Sequence, residues 1–226
     1  MAKPKYVVGI DLGTTNIVVG YAPLAAGEET EKAEIKLAPI VQELAKGAVE
    51  ALEVLPSFIF ERIKEKPVLE WESDSKFIIG EYARERGAEV PDRLISSAKS
   101  WLCNSRVDRT EAILPWNAPE ESAKISPLQA MSMFLSHVKE AWNKDFPKDR
   151  LENQKVIITI PASFDAAARD LVVEAAKKAD ITTITLLEEP QAAFYSWISQ
   201  NEKPWRKQVS KGDTVLVVDV GGGTTD

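Results

Sequence analysis

Cysteine and histidine are almost missing from this chain: its 226 residues include one of each, Cys103 and His137. A single cysteine excludes an intrachain disulfide and a cysteine-based metal cluster. A single histidine leaves no material for a multi-histidine metal site and little for a histidine-dependent nucleophile. Both read as structural residues, a helical histidine and a small core or subsurface thiol. Long apolar runs are missing too. Tyr6–Ile10 is too short for a signal-peptide core or a membrane span, and Asp11 interrupts it. A cytoplasmic protein with no membrane partner is the expectation. There is no excess of positive charge: 28 basic against 35 acidic residues leave a formal charge of −7, which argues against nonspecific nucleic-acid binding. An anionic nucleotide stays admissible, because backbone N–H groups and Mg²⁺ neutralise phosphate locally. The 44% hydrophobic and 28% charged fractions are those of a soluble globular protein able to bury a substantial core.

What the chain does have is one motif at each end. An apolar run leads into Asp11-Leu12-Gly13-Thr14-Thr15-Asn16, and another leads into Asp219-Val220-Gly221-Gly222-Gly223-Thr224-Thr225-Asp226. Each reads as a buried strand, an acidic residue at its tip, a glycine turn and two threonines. A carboxylate can hold Mg²⁺, usually through water. Glycines let backbone N–H groups approach an anion, and threonine hydroxyls add donors. Two such turns facing each other would form a cleft for a metal–polyphosphate. Either aspartate alone could be a turn cap; the pair makes that reading weaker. No Gly-Lys-Ser/Thr follows, so neither is a Walker A loop. The first leads into a strand, so it is not a dinucleotide fingerprint.

The periodicity predicts a hairpin from Tyr6–Ile10 and Ile17–Tyr21 around the first turn. Residues 24–53 are Ala/Glu-rich, with a short helix expected around Ile40–Leu52. Leu55–Glu61 and Phe77–Gly80 read as strands, Tyr82–Gly87 and Ile95–Leu102 as helices, and residues 104–124 as a loop with room for a hairpin. Ser126-Pro127 is a helix start, a serine cap with proline in the first turn, for a helix to about Asn143. Lys155–Ile160 is a strand ended by Pro161, and Ser163 or Asp165 caps a helix to about Ala179 with Leu171, Val172 and Ala175 inward. Thr183–Leu187 is a strand, Pro190 opens a helix to about Gln200, residues 201–212 are linker-like and Thr214–Val220 is the last strand. A hairpin, mixed elements and then a β-α-β-α-β run specify an α/β protein with a mixed sheet. Trp101, Trp142 and Trp197 read as core or interface anchors.

Glu188-Glu189-Pro190 places acid after a strand and at a helix start, which is favourable for the helix dipole and, beside the two Asp turns, supplies a third carboxylate to one cleft. Composition alone makes Lys99 a solvated lysine, Pro161 a strand terminator and Arg169 an ordinary helix-surface residue.

Together these stretches resemble the ATPase domain of the heat-shock protein 70 (DnaK-type) chaperones, within the actin-like ATPase superfamily. Gly9–Asn16 looks like the family's first phosphate motif, Asp219–Asp226 its second, and Leu187–Ala193 its first connecting motif. Ile158-Thr159-Ile160-Pro161-Ala162-Ser163-Phe164 with Arg169, and the order Leu55-Pro56-Ser57, Ile79-Gly80-Glu81, Ser97-Ala98-Lys99, favour the chaperone branch. The resemblance spans most of the chain. It departs at residues 24–53, longer than the usual connection, and at Trp101-Leu102-Cys103, where Arg-Leu-Ile-Gly is usual, so a divergent member is expected.

The implied fold is lobe I of an actin-like (ribonuclease H-like) ATPase. Residues 1–53 and 125–207 would form its core, 54–124 an inserted outer α+β subdomain, and 208–226 the opening strand and turn of a truncated second lobe. ATP or ADP with Mg²⁺ would be the ligand. Asp11, Asp219 and Asp226 would hold the metal, mainly through water. Gly13, Thr14, Thr15, Asn16, Gly221, Gly222, Gly223, Thr224 and Thr225 would contact nucleotide. Lys99, Glu189 and Asp219 would serve hydrolysis, and Pro161 and Arg169 would relay nucleotide state. The intact protein would work with unfolded peptide segments, a J-domain co-chaperone and a nucleotide-exchange factor. This piece would be weak or inactive alone. Its last strand would be disordered, docked on lobe I, or paired with a second copy as a strand-mediated dimer. An actin-like filament or scaffold ATPase and a sugar kinase of the same superfamily are the alternatives; a catalytic lysine in the position of Lys99 favours the chaperone.

Overall fold

The computed structural model describes residues 3–24, 34–73, 75–201 and 204–226. Its principal sheet is mixed. β1 (Tyr6–Leu12) and β2 (Asn16–Pro23) form the expected hairpin, and β3 (Lys36–Leu37) extends it. The part of the 24–53 connection at 25–33 lies outside the described residues.

A smaller body is inserted next. β4 (Ile40–Ala45) and β5 (Ala48–Leu52) form a hairpin, and β6 (Val54–Pro56) returns to pair with β2. β7 (Ile59–Glu61), β8 (Phe77–Ile79) and β9 (Leu94–Ile95) form a second sheet with β7 central. Helix α1 (Glu81–Glu89) joins its last two strands. Phe60, Ile78, Tyr82 and Ala83 make a separate apolar cluster there. Helix α2 (Ala98–Cys103) leads out.

The chain then supplies α3 (Pro127–Asp145), β10 (Lys155–Ile160), α4 (Ala166–Lys178), β11 (Ile184–Glu188), α5 (Glu189–Asn201) and the short α6 (Trp205–Gln208). β10 and β11 add to β1 in parallel, giving the order β11-β10-β1-β2-β3.

The alternation of the strands explains the layering. Val8, Ile10 and Leu12 of β1, Ile17 and Val19 of β2, and Val156, Ile158 and Ile160 of β10 are buried in one cluster with Leu128, Met131, Phe134, Leu135 and Val138 of α3 and Val172 and Ala175 of α4. Each fully buried aliphatic side chain contributes roughly 1.5–3 kcal/mol. The helix starts follow the expected chemistry: Ser126 Oγ accepts from Gln129 N–H at 2.9 Å, and Asp165 Oδ1 accepts from Ala168 N–H at 2.6 Å. Asp165, not Ser163, is therefore the second cap. Leu171 is only partly buried and packs at the edge of the core.

Five expectations fail. Leu55–Glu61 is not one strand: β6 ends at Pro56 in the principal sheet, and β7 starts at Ile59 in the second. Ile40–Leu52 is a hairpin, not a helix. Its Ala, Glu and Leu suit a helix, but Gly47 has φ 79° and makes the turn, while Gln42 and Glu43 are buried by tertiary partners. Gln42 Nε2 donates to the Val54 carbonyl at 2.9 Å, and its Oε1 accepts from Glu81 N–H at 2.9 Å. Ile95 belongs to β9, and α2 starts only after Ser97, whose φ of 54° breaks the helical path. Residues 201–212 contain α6. Thr214–Val220 forms no strand ladder; Val220 makes one bridge, to Thr225. No helix of the described residues is long and apolar enough to cross a membrane.

Candidate functional site

The first turn sits where β1 ends and β2 begins. The alternation that buries Ile10 and Leu12 leaves Asp11 exposed at the strand tip, where Thr159 Oγ1 on the neighbouring β10 donates to Asp11 Oδ1 at 3.0 Å. Glycine is required in the turn: a Cβ on Gly13 would lie 2.3 Å from the Asn16 carbonyl oxygen. Ser57, immediately after β6, braces the turn from outside. Its Oγ donates to the Gly13 carbonyl at 2.8 Å, and its N–H donates to the Thr15 carbonyl at 2.8 Å.

The second turn is a small closed loop. Asp219 and Asp226 exchange two backbone hydrogen bonds of 2.9 Å, and Gly221 N–H donates to the Thr224 carbonyl at 2.9 Å. It packs on the first turn so closely that a Cβ on Gly222 would come within 2.9 Å of Thr15 Oγ1, and one on Gly223 within 3.2 Å of Thr14 Cγ2. Glycine is what lets the backbone of the second turn lie against the Thr14 and Thr15 side chains.

A cavity of about 190 Å³ lies between the turns. Asp11, Gly13, Thr14, Thr15, Asn16, Lys99, Pro161, Glu189, Asp219, Gly221, Gly222, Gly223 and Thr224 line it. Thr225 and Asp226 face an adjoining cavity with Thr14, Lys99, Pro161 and Thr224. Of the expected nucleotide, metal, catalytic and relay residues, Arg169 alone lines neither cavity.

Lys99 is not a solvated lysine: it is 7% exposed, and its Nζ is hydrogen-bonded to Glu189 Oε1. Burial would be costly for an unpaired ammonium, so the carboxylate is what makes this position tenable. Glu189 gets there because β11 runs parallel to β10 and ends beside it at Glu188. Arg169 on α4 donates from Nη2 to Glu188 Oε1 at 2.7 Å and from Nε to the Phe164 carbonyl at 3.1 Å. It thus ties the end of β11 to the turn that follows Pro161. Arg109 grips the other end of that turn through a bidentate pair with Asp165 at 3.0 and 2.9 Å, and this contact holds the Asp165 carboxyl down at a pKa of about 2.

Ser57 and Thr159 were missed as site residues. Both are small hydroxyls that act on the turn residues from other strands, and only tertiary pairing shows it. His137 is part of the core, with Nδ1 3.2 Å from Glu72 Oε1 and Nε2 2.9 Å from the Val41 carbonyl. Trp142 is buried, whereas Trp101 stacks on the half-exposed Trp116 and Trp197 on Phe194. Among the described residues no three His, Cys, Asp or Glu side chains are grouped closely enough to hold a bare metal ion.

Known proteins are similar to this chain in sequence. The family model described as Hsp70 protein matches residues 71–226. The chaperone protein DnaK of Mycoplasmopsis pulmonis is 29% identical over 233 residues, covering 100% of this chain and 30% of the relative. The chaperone protein HscA of Buchnera aphidicola subsp. Schizaphis graminum is 28% identical, covering 99% of the chain and 32% of the relative. The chaperone protein DnaK of Nitrosopumilus maritimus is 27% identical, covering 97% and 28% respectively. The chain therefore spans about 30% of the length of the curated relatives it matches.

Proposed function

The chain is a divergent member of the Hsp70 protein family covering part of its ATPase domain, and from that membership we propose that its two facing turns hold the phosphates of Mg–ATP for hydrolysis. The observation that carries this reading is the convergence of both Asp–Gly–Thr turns, Lys99 and Glu189 on one cavity.

In this reading backbone N–H groups of Gly13–Thr15 and Gly222–Thr224 and the threonine hydroxyls donate to phosphate oxygens. The donor set fits Mg²⁺: isolated carboxylate oxygens of Asp11, Asp219 and Asp226 beside the turns suit a hydrated ion carried by the phosphates better than direct chelation. Bound there, the ion would neutralise charge on the phosphate oxygens. Lys99 stabilises negative charge on the terminal phosphoryl group and orients the attacking water. Glu189 holds the Lys99 ammonium on the cleft side. Such catalysis is mostly positioning and electrostatics.

The domain division belongs to the same reading, with the sheet β8-β7-β9 and its helix as an outer subdomain of lobe I. Val215, Leu216, Val218 and Val220 are exposed, an apolar segment outside any strand ladder that suits a strand of a second lobe or of a second copy. In the intact protein, nucleotide state would pass through Pro161 and Arg169 to a peptide-binding region serving unfolded segments, a J-domain co-chaperone and an exchange factor.

The test is Lys99→Ala in the intact protein. Steady-state hydrolysis should fall by about 10²–10³-fold, the scale of losing a transition-state donor, with ATP binding retained. Unchanged turnover would remove the role given to Lys99.

A further inference from the structure

Where the smaller sheet body meets the first turn, a buried serine supplies two of the contacts. Ser57 is 3% exposed, and it follows Pro56, which is paired with Asn16 of β2. Its hydroxyl and its N–H reach the carbonyls of Gly13 and Thr15, at 2.8 Å each, so it grips the turn on both sides of Thr14. A peptide unit is planar and trans, with its C=O and N–H pointing in opposite directions. Holding the Gly13 carbonyl toward Ser57 therefore turns the Thr14 N–H away from Ser57. That N–H has no acceptor among the described residues, and Thr14 lines the cavity.

We propose that Ser57 is the positioning residue of the phosphate turn: by binding the Gly13 and Thr15 carbonyls it aims the Thr14 amide at a bound polyphosphate and links that ligand to the smaller sheet body. The inference rests on the phosphate-binding reading above. Because the same residue opens the segment that builds β7, ligand contact with the turn and order in that body favour each other, as linkage requires of any two coupled events.

The loop before α3 contains a control. Ser122 is buried at 7% exposure and its Oγ has no hydrogen-bond partner. Mg–tripolyphosphate is titrated by calorimetry into the wild-type chain, Ser57→Ala and Ser122→Ala, each checked for a cooperative melt. Ser57→Ala should bind about tenfold more weakly, the scale of one well-aimed hydrogen bond, and Ser122→Ala should bind as the wild type does. Equal binding by Ser57→Ala and wild type overturns the role of Ser57 and leaves the phosphate reading standing. No binding by the wild type overturns both. Should Ser57→Ala fail to fold, amide exchange on the wild type decides. Mg–tripolyphosphate should slow exchange in β7 and β8 as well as at the turn, and protection confined to the two turns overturns the proposal.

Discussion

Lys99 on α2 and Glu189 at the start of α5 are hydrogen-bonded to each other across 90 positions of sequence, and both side chains are largely withdrawn from solvent. The pair closes one wall of the cavity between the two glycine turns. Its members depend on each other, so their substitutions should not be additive. A cycle of Lys99→Met, Glu189→Gln and the double variant, read by denaturant unfolding, should give a coupling of about 0.5–3 kcal/mol. Additive effects would mean that the contact contributes nothing to the arrangement.

Gly13 and Gly9 lie on the same hairpin but differ in what surrounds them. A methyl at Gly13 meets the Asn16 carbonyl oxygen at 2.3 Å, whereas at Gly9 its nearest neighbour is the Gly20 carbonyl oxygen at 3.9 Å. Gly13→Ala should destabilise by about 1–3 kcal/mol, because backbone must shift to admit it, and should weaken nucleotide binding. Gly9→Ala should do neither. Thermal melts and nucleotide titrations of the two variants separate these outcomes.

Arg62 is buried between Glu43 on β4 and Glu72 before β8, and Glu72 in turn meets His137 of α3. Removing the guanidinium leaves the buried Glu43 carboxylate without its ion-pair partner and Glu72 with His137 alone. Arg62→Ala should cost about 3–5 kcal/mol in urea unfolding, far more than a surface arginine. A loss below about 1 kcal/mol would show that water reaches the cluster.

The Arg109 contact, together with the Ala168 N–H at the helix start, lowers the Asp165 pKa from 3.8 to about 2. The folded state thus prefers the ionised acid. That preference is fully present above the unfolded-state pKa and disappears as pH falls through the folded one. The melting temperature should drop between pH of about 4 and about 2 by more in the wild type than in Asp165→Asn, which keeps a capping oxygen but carries no charge. Parallel curves would show that Asp165 is not a source of the acid sensitivity.

How much of this was legible in the chain follows from where each residue finds its partners. Ser126-Pro127 and the spacing of Leu128, Met131, Leu135 and Val138 describe α3 locally, and the structure has it from Pro127 to Asp145. The turn residues were visible because glycine, threonine and aspartate in that order are needed within one short loop. Ile40–Leu52 was misread because Gln42 and Glu43 are buried by β6, α1 and Arg62, which no local pattern contains. Composition made Lys99 a surface lysine, and only the parallel β10–β11 pairing brings Glu189 to it. Ser57 lies in the Leu55-Pro56-Ser57 stretch, yet its grip on Gly13 depends on the pairing of β6 with β2.

Phosphate recognition by the two turns requires that they hold the polyphosphate end of a nucleotide and not its base. Phosphorus and proton NMR of Mg–ATP with the chain measures that directly. Such recognition predicts that the β- and γ-phosphate resonances shift and broaden on binding, that adenine H8 moves less, and that Thr14→Val or Gly222→Val suppresses the phosphate changes. Adenine H8 shifts with unperturbed phosphate resonances, or phosphate changes that persist in both variants, would contradict it.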